Sequence, residues 1–100
     1  MGLAMQRSDD GNEVLITVDG RFDFSVHGDF RDAYRDAPKS ARFVIDLGQT
    51  TFMDSSAMGM LLLLREYAGE KNANISIINC TPEVRKVLAI SNLDKLFSIS

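Results

Sequence analysis

The stretch Thr51-Phe52-Met53-Asp54-Ser55-Ser56-Ala57-Met58-Gly59-Met60-Leu61-Leu62 places an acid and two hydroxyls where a buried strand hands over to an apolar helix. On the N-terminal side, Arg42-Phe43-Val44-Ile45-Asp46-Leu47 is short, β-branched and apolar on both faces, the pattern of a central parallel strand covered by helices. On the C-terminal side the periodicity predicts a helix over Ser55–Lys71. At 100° per residue, Ala57, Met60, Leu61, Leu64 and Ala68 fall on one side, which should meet the sheet. Nearly opposite lie Ser55, Met58, Gly59, Leu62 and Glu66, with Ser56 about a quarter turn away on the flank. This outer stripe is apolar for two turns, where a surface helix is normally polar. An apolar outer face that begins at a hydroxyl has the character of a docking patch.

Working outward, Asp9-Asp10-Gly11-Asn12 is a hairpin turn signal between a weak strand, Leu3–Arg7, and a clearer one, Glu13–Asp19, which Gly20 ends. Val26, Phe30, Ala33, Tyr34 and Ala37 form a helical stripe over Ser25–Ala37, and Pro38 forbids its continuation. Asn74–Asn79 reads as another buried strand. Thr81-Pro82 opens a third helix, with a capping hydroxyl and proline in the first turn, and Val84, Val87, Leu88 and Ser91 give its inner face. Leu96–Ile99 either adds a short strand or packs as a tail. The order β-β-α-β-α-β-α-(β) implies right-handed crossovers and a mostly parallel sheet, with the first hairpin supplying an antiparallel edge.

One hundred residues suit one domain, expected to span 1–100. A formal net charge of −3 and the lack of a Lys/Arg cluster argue against nucleic acid as the main partner. The single cysteine, Cys80, cannot form an internal disulfide and fits a reducing compartment; after an apolar strand it reads as a small core residue. Met1–Gln6 lacks a charged segment with a long apolar run, and the longest apolar run, Ala57–Leu64, is far too short to span a bilayer. A cytoplasmic protein without direct membrane contact is expected. One histidine, His27, and one cysteine at unrelated positions give no metal signature, and no glycine-rich phosphate loop is present, so neither metal nor cofactor is expected. The turn lacks the Gly-x-Ser-x-Gly elbow and a plausible base, which disfavours a serine hydrolase; His27 reads as an exposed side chain. Ser or Asp before an apolar helix is most often a simple N-cap, and Asp54 can cap without excluding a switch at the neighbouring hydroxyl. The outer stripe could equally be covered by the first helix or by the tail. Asp23 reads as a turn or cap aspartate able to rim the patch.

Phe52-Met53-Asp54-Ser55-Ser56-Ala57-Met58-Gly59-Met60-Leu61 closely resembles the phosphorylation motif of the STAS domain, as found in bacterial anti-sigma-factor antagonists. Gly20-Arg21-Phe22-Asp23 resembles the family's Gly-x-hydrophobic-Asp element, Phe43–Leu47 its apolar strand ending in Asp-Leu, and Thr81-Pro82-Glu83-Val84 with Leu88 its final helix. Ala57-Met58-Gly59 stands where the family commonly has Gly-Leu-Gly, a mild departure. The resemblance implies an α/β fold with a mixed, mostly parallel sheet of four to five strands and about three or four packed helices. It implies phosphorylation at Ser55, with Ser56 the second choice, by an anti-sigma factor acting as serine kinase. A serine phosphatase would reverse it. The unphosphorylated protein would bind the anti-sigma factor and release the sigma factor, with Asp23, Asp54, Ser56, Met58, Gly59 and Leu62 contacting the partner. The domain would be substrate and binder, not a catalyst. A constitutive, non-phosphorylated STAS adaptor of a lipid or anion transport complex is the competing reading; the complete Asp-Ser-Ser triplet tilts against it. Oligomeric state is left open.

Overall fold

The computed structural model of the chain describes residues 2–100; Met1, the first residue of the N-terminal stretch considered above, lies outside them. The strands β1 (Gly2–Arg7), β2 (Glu13–Phe22), β3 (Arg42–Asp46), β4 (Thr50–Met53), β5 (Asn74–Ile78) and β6 (Ser98–Ile99) alternate with helices α1 (His27–Tyr34), α2 (Ser55–Tyr67) and α3 (Pro82–Ile90). The sheet runs β1-β2-β3-β5-β6, with β4 attached to β2 alone. Only the β1–β2 hairpin is antiparallel; every other pairing is parallel.

Register explains where the core lies. Val14 and Ile16 stand beside Phe43 and Ile45, which stand beside Ile75 and Ile77. With period 2, these residues share one face. That face and the inner residues of all three helices (Phe30, Ala33 and Tyr34; Ala57, Met60, Leu61 and Leu64; Val84 and Leu88) form one apolar cluster. The opposite row differs from the expectation of a strand covered on both sides. Val44 is buried there, but Leu15, Thr17, Asp46, Ser76 and Ile78 are only half-buried. Val44 is flanked by Leu15 and Ser76 and is not part of the main apolar cluster.

Four local features depart from the sequence reading. Strand β2 does not stop at Gly20: the chain takes a positive φ of 90° there, shifts register between Gly20 and Arg21, and continues to Phe22. Glycine adopts that conformation without a Cβ penalty, so a residue that looks like a terminator serves as a bulge. Strand β4 was absent from the expected order. It is four residues long, polar at its start, and held by Thr50, whose buried hydroxyl donates to the Val18 carbonyl at 2.8 Å. Helix α1 begins later than expected, after a 3-10 turn over Phe24–Val26, although its stripe Val26, Phe30, Ala33, Tyr34 and Ala37 is buried as read. Helix α2 ends at Tyr67 rather than Lys71, because Gly69 turns left-handed at φ 103°. The tail does both things considered for it: Phe97 is buried in the core and Ser98–Ile99 pairs in parallel with β5.

Candidate functional site: paired strand-to-helix turns around Ser55

Phe22 and Met53 are partners at the carboxyl ends of β2 and β4, and both are buried. Each is followed by an aspartate, so parallel pairing brings Asp23 and Asp54 to the same rim. The carboxyl ends of parallel strands are where α/β sheets commonly present their sites.

The two aspartates make the same turn. The Asp54 Oδ1 accepts from the backbone N–H groups of Ser56 (3.0 Å) and Ala57 (3.2 Å) and from the Ser56 hydroxyl (2.6 Å). This caps α2 by satisfying donors that have no partner within the helix. The Asp23 Oδ1 likewise accepts from the Ser25 N–H (3.0 Å) and the Ser25 hydroxyl, opening the 3-10 turn. Its second oxygen accepts from Arg21 Nε at 2.9 Å. Hydrogen bonds to the charged form hold both carboxyls below the usual carboxylate value. The Ser56 hydroxyl contributes most at Asp54, and the Ser25 hydroxyl, then Arg21, at Asp23. The Asp23 charge works against this depression at Asp54, so the two acids are within electrostatic reach.

The residues that directly follow these anchors, Phe24 and Ser55, are both exposed. Phe24 is 69% exposed and stacks on the His27 ring at 4.8 Å between centroids. His27, stacked on Phe24, is half-buried, not the exposed side chain expected. Ser55 is exposed, and its hydroxyl enters none of the hydrogen bonds among the described residues, whereas that of Ser56 is committed to the cap. Along α2 the inner positions Ala57, Met60, Leu61, Leu64 and Ala68 are all buried. The outer stripe is uncovered by α1 or the tail: Gly59 and Glu66 are exposed, Leu62 is 41% exposed, and Met58 is half-buried against the core.

Gly59 adds a separate signal. Glycine in a helix interior costs about 1 kcal/mol relative to alanine. Nothing within the chain requires it, because a Cβ built there meets no atom within 4 Å. Its bare surface is suited to something outside the chain. The structure thus brings Asp23, Asp54, Ser55, Ser56, Met58, Gly59 and Leu62 to one rim and helix face. Sequence reasoning did not single out Arg21 or Phe52, although the guanidinium lies 4.1 Å above the Phe52 ring. The only available cue was β pairing of the two segments, which required β4 to be recognised.

A β-β-α-β-β-α-β-α-β chain with a capped Asp-Ser-Ser turn at the rim of a mostly parallel sheet defines the class: a small α/β domain with an exposed serine at a helix start. The chain belongs to the STAS domain family, matching the profile described as "Mlab, STAS domain" over residues 5–98. It is 57% identical over 101 residues to a STAS-domain containing protein of Pseudomonas aeruginosa (strain UCBPP-PA14), with both chains covered in full. An anti-sigma factor antagonist from Mycobacterium paratuberculosis shares the fold at a TM-score of 0.77 and 22% identity, with 98% of this chain and 85% of that one covered. An antisigma-factor antagonist STAS domain from Rhodobacter sphaeroides matches at a TM-score of 0.58 and 26% identity, covering 78% and 85%. No helix of the described residues is long and apolar enough to cross a membrane.

Proposed function

We propose that this protein, read as a single STAS domain acting in the cytoplasm, is an anti-sigma-factor antagonist switched by phosphorylation of Ser55. In this reading the unphosphorylated form docks on an anti-sigma factor that is also a serine kinase, and the sigma factor is released. Phosphorylation ends the contact, and a serine phosphatase restores it. The protein is the substrate and the binder rather than the catalyst. The observation that carries the reading is the exposed, uncommitted Ser55 hydroxyl in line with Leu62 and Met58. The two structural relatives above are anti-sigma factor antagonists, which supports the antagonist part of the reading.

The electrostatics run in one direction. A phosphate brings about −1.5 to −2 charges. The α2 N-terminus tolerates an anion, by about 0.3–1 kcal/mol, so the protein itself need not rearrange. A partner seated on Met58, Gly59 and Leu62 meets a desolvated dianion beside Asp54 and Asp23. A penalty of about 3 kcal/mol weakens affinity more than a hundredfold. The test is capture of partners from the native cell by wild type, Ser55→Ala and Ser55→Asp, with the phosphosite mapped by mass spectrometry and true phosphoprotein as the final reagent. Wild type and Ser55→Ala should capture a kinase-fold protein that Ser55→Asp and phosphoprotein do not. Modification outside Ser55 and Ser56, or phosphoprotein that binds as tightly as the unmodified chain, overturns the reading. A Ser55→Ala chain that behaves as wild type while co-purifying with a transport ATPase points instead to the constitutive adaptor.

A further inference from the structure

Arg21 is oriented more firmly than a surface arginine needs to be. It directly follows the register shift at Gly20. Bulges next to functional sites commonly redirect a side chain. Its guanidinium lies 4.1 Å above the ring of Phe52, its partner across the β2–β4 pair. Its Nε is fixed 2.9 Å from Asp23 Oδ2, while Asp23 is itself pinned by Ser25. The side chain nevertheless remains 63% exposed, and its terminal nitrogens enter no hydrogen bond among the described residues. The other ion pairs among those residues, Arg35–Asp32 and Arg42–Glu13, lie elsewhere. The rim around it is acidic, with Asp23 and Asp54 close enough to affect one another and Glu83 lining the cleft beside Phe52.

We propose that Arg21 is the counter-charge for a phosphate on Ser55: once the serine is modified, the guanidinium gives up Asp23 and forks onto the phosphate oxygens. This rests on the Ser55 reading above. Ser55 follows Phe52 by three residues, about 10 Å along the strand direction at most, a span that an arginine and a phosphoserine reach across from opposite sides. Planar guanidinium and phosphate match in two parallel N–H···O bonds, whereas the contact to Asp23 uses Nε alone. Transfer to the phosphate therefore exchanges a single bond for a fork and neutralises the charge that Asp23 and Asp54 oppose. It also leaves Asp23 without its cation, so the rim keeps the whole of the negative charge that the phosphate adds, redistributed toward Asp23.

The experiment uses the full chain with phosphoserine inserted at position 55 by genetic encoding, so it needs no native kinase and is independent of whether one modifies that residue. The second ionisation of the phosphate is followed by phosphorus NMR against pH, with Arg21→Gln and Arg21→Lys as variants. All are made in a His27→Gln background, which removes the single imidazole of the sequence. With Arg21 present the phosphate should lose its second proton about half a pH unit lower than in Arg21→Gln, a modest effect because the site is exposed. Arg21→Lys should recover part of the difference, having the charge without the fork. Coincident titrations in Arg21 and Arg21→Gln proteins, with both folded by amide spectra, overturn the proposal. So does a difference that Arg21→Lys does not recover in any part. Failure of the Ser55 reading shows separately, as native phosphorylation mapped to another residue.

Discussion

Replacing Gly59 by alanine separates what helix α2 does for the fold from what it does for a partner. Mid-helix glycine is less stable than alanine by about 0.5–1 kcal/mol, because it loses more backbone freedom on folding. A packing reason for the glycine would reverse the sign, but the position is exposed and an added Cβ meets nothing within 4 Å. Gly59→Ala should therefore stabilise the isolated protein by about that amount. For a chain of this size that raises the melting temperature by about 2–8 °C. Binding should move the opposite way. Gly59 lies between Met58 and Leu62 on the exposed stripe, and a methyl pushed into a close-packed contact typically costs about 1–3 kcal/mol. The corresponding loss of affinity is about five- to 150-fold. Thermal and urea unfolding measure the first effect, and calorimetric titration with the captured partner the second. A lower melting temperature would show that the helix surface is packed where the structure has it open. A stabilised variant that binds as tightly as wild type would show that the partner does not approach this face.

Three further outcomes follow from the same geometry. Leu61 is fully buried and Leu62 is 41% exposed, so Leu61→Ala should cost about 2–5 kcal/mol of stability, while Leu62→Ala, which loses only the covered part of its side chain, should cost about 1–2 kcal/mol. If burying a leucine is worth about 1.5–3 kcal/mol, the exposed fraction of Leu62 leaves about 0.6–1.2 kcal/mol to be gained on docking. Leu62→Ala should then weaken the partner about three- to eightfold at most, and denaturant titration paired with calorimetry separates the two residues. The Asp54 carboxyl is held below its ordinary 3.8, chiefly by the Ser56 hydroxyl, so the folded state favours its charged form. The stability advantage of wild type over Asp54→Ala should be fully present above 3.8 and lost as pH falls below it toward the depressed native value; urea midpoints that keep a constant gap through that range would contradict this. Burial raises the Cys80 thiol, so its alkylation near neutral pH should be slower in the native chain than in urea, and equal rates would place the sulfur in open water.

Most of the fold was legible where burial imposes a strict period. The stripe Val26 to Ala37, the inner face of α2 and the alternation of β2 survived because every one of those positions touches the core. The boundaries failed where a residue's role depends on a distant neighbour. Gly20 resembles a terminator until β4 arrives beside it and turns it into a bulge. Thr50–Met53 carries too few apolar residues to signal a strand and is held instead by Thr50 reaching a carbonyl of β2. Gly69 was visible, yet the helical stripe ran past it to Lys71 because charged residues fit either conformation. At the site, the polar turn was readable because capping chemistry is local. The partnership of Arg21 with Phe52 was not, because it exists only through strand pairing.

The two serines of the motif are chemically equivalent in sequence and inequivalent in the folded chain. Ser56 donates its proton to the carboxylate that caps α2. A phosphate there would remove the donor and set two anions on the atoms that hold the helix start, so the signal would be paid in structure. Ser55 bears no such duty: its backbone is already helical, its hydroxyl is exposed, and the cap beneath it is completed by Ser56 and Ala57. Charge added at Ser55 is therefore felt mainly by the Arg21 side chain and by whatever rests against the outer stripe. The inner face of the same helix, from Ala57 to Leu64, keeps its burial in either state. A switch of this kind needs no second backbone conformation, because the rigid turn that specifies the modified atom is the same turn that keeps the modification from disturbing the core.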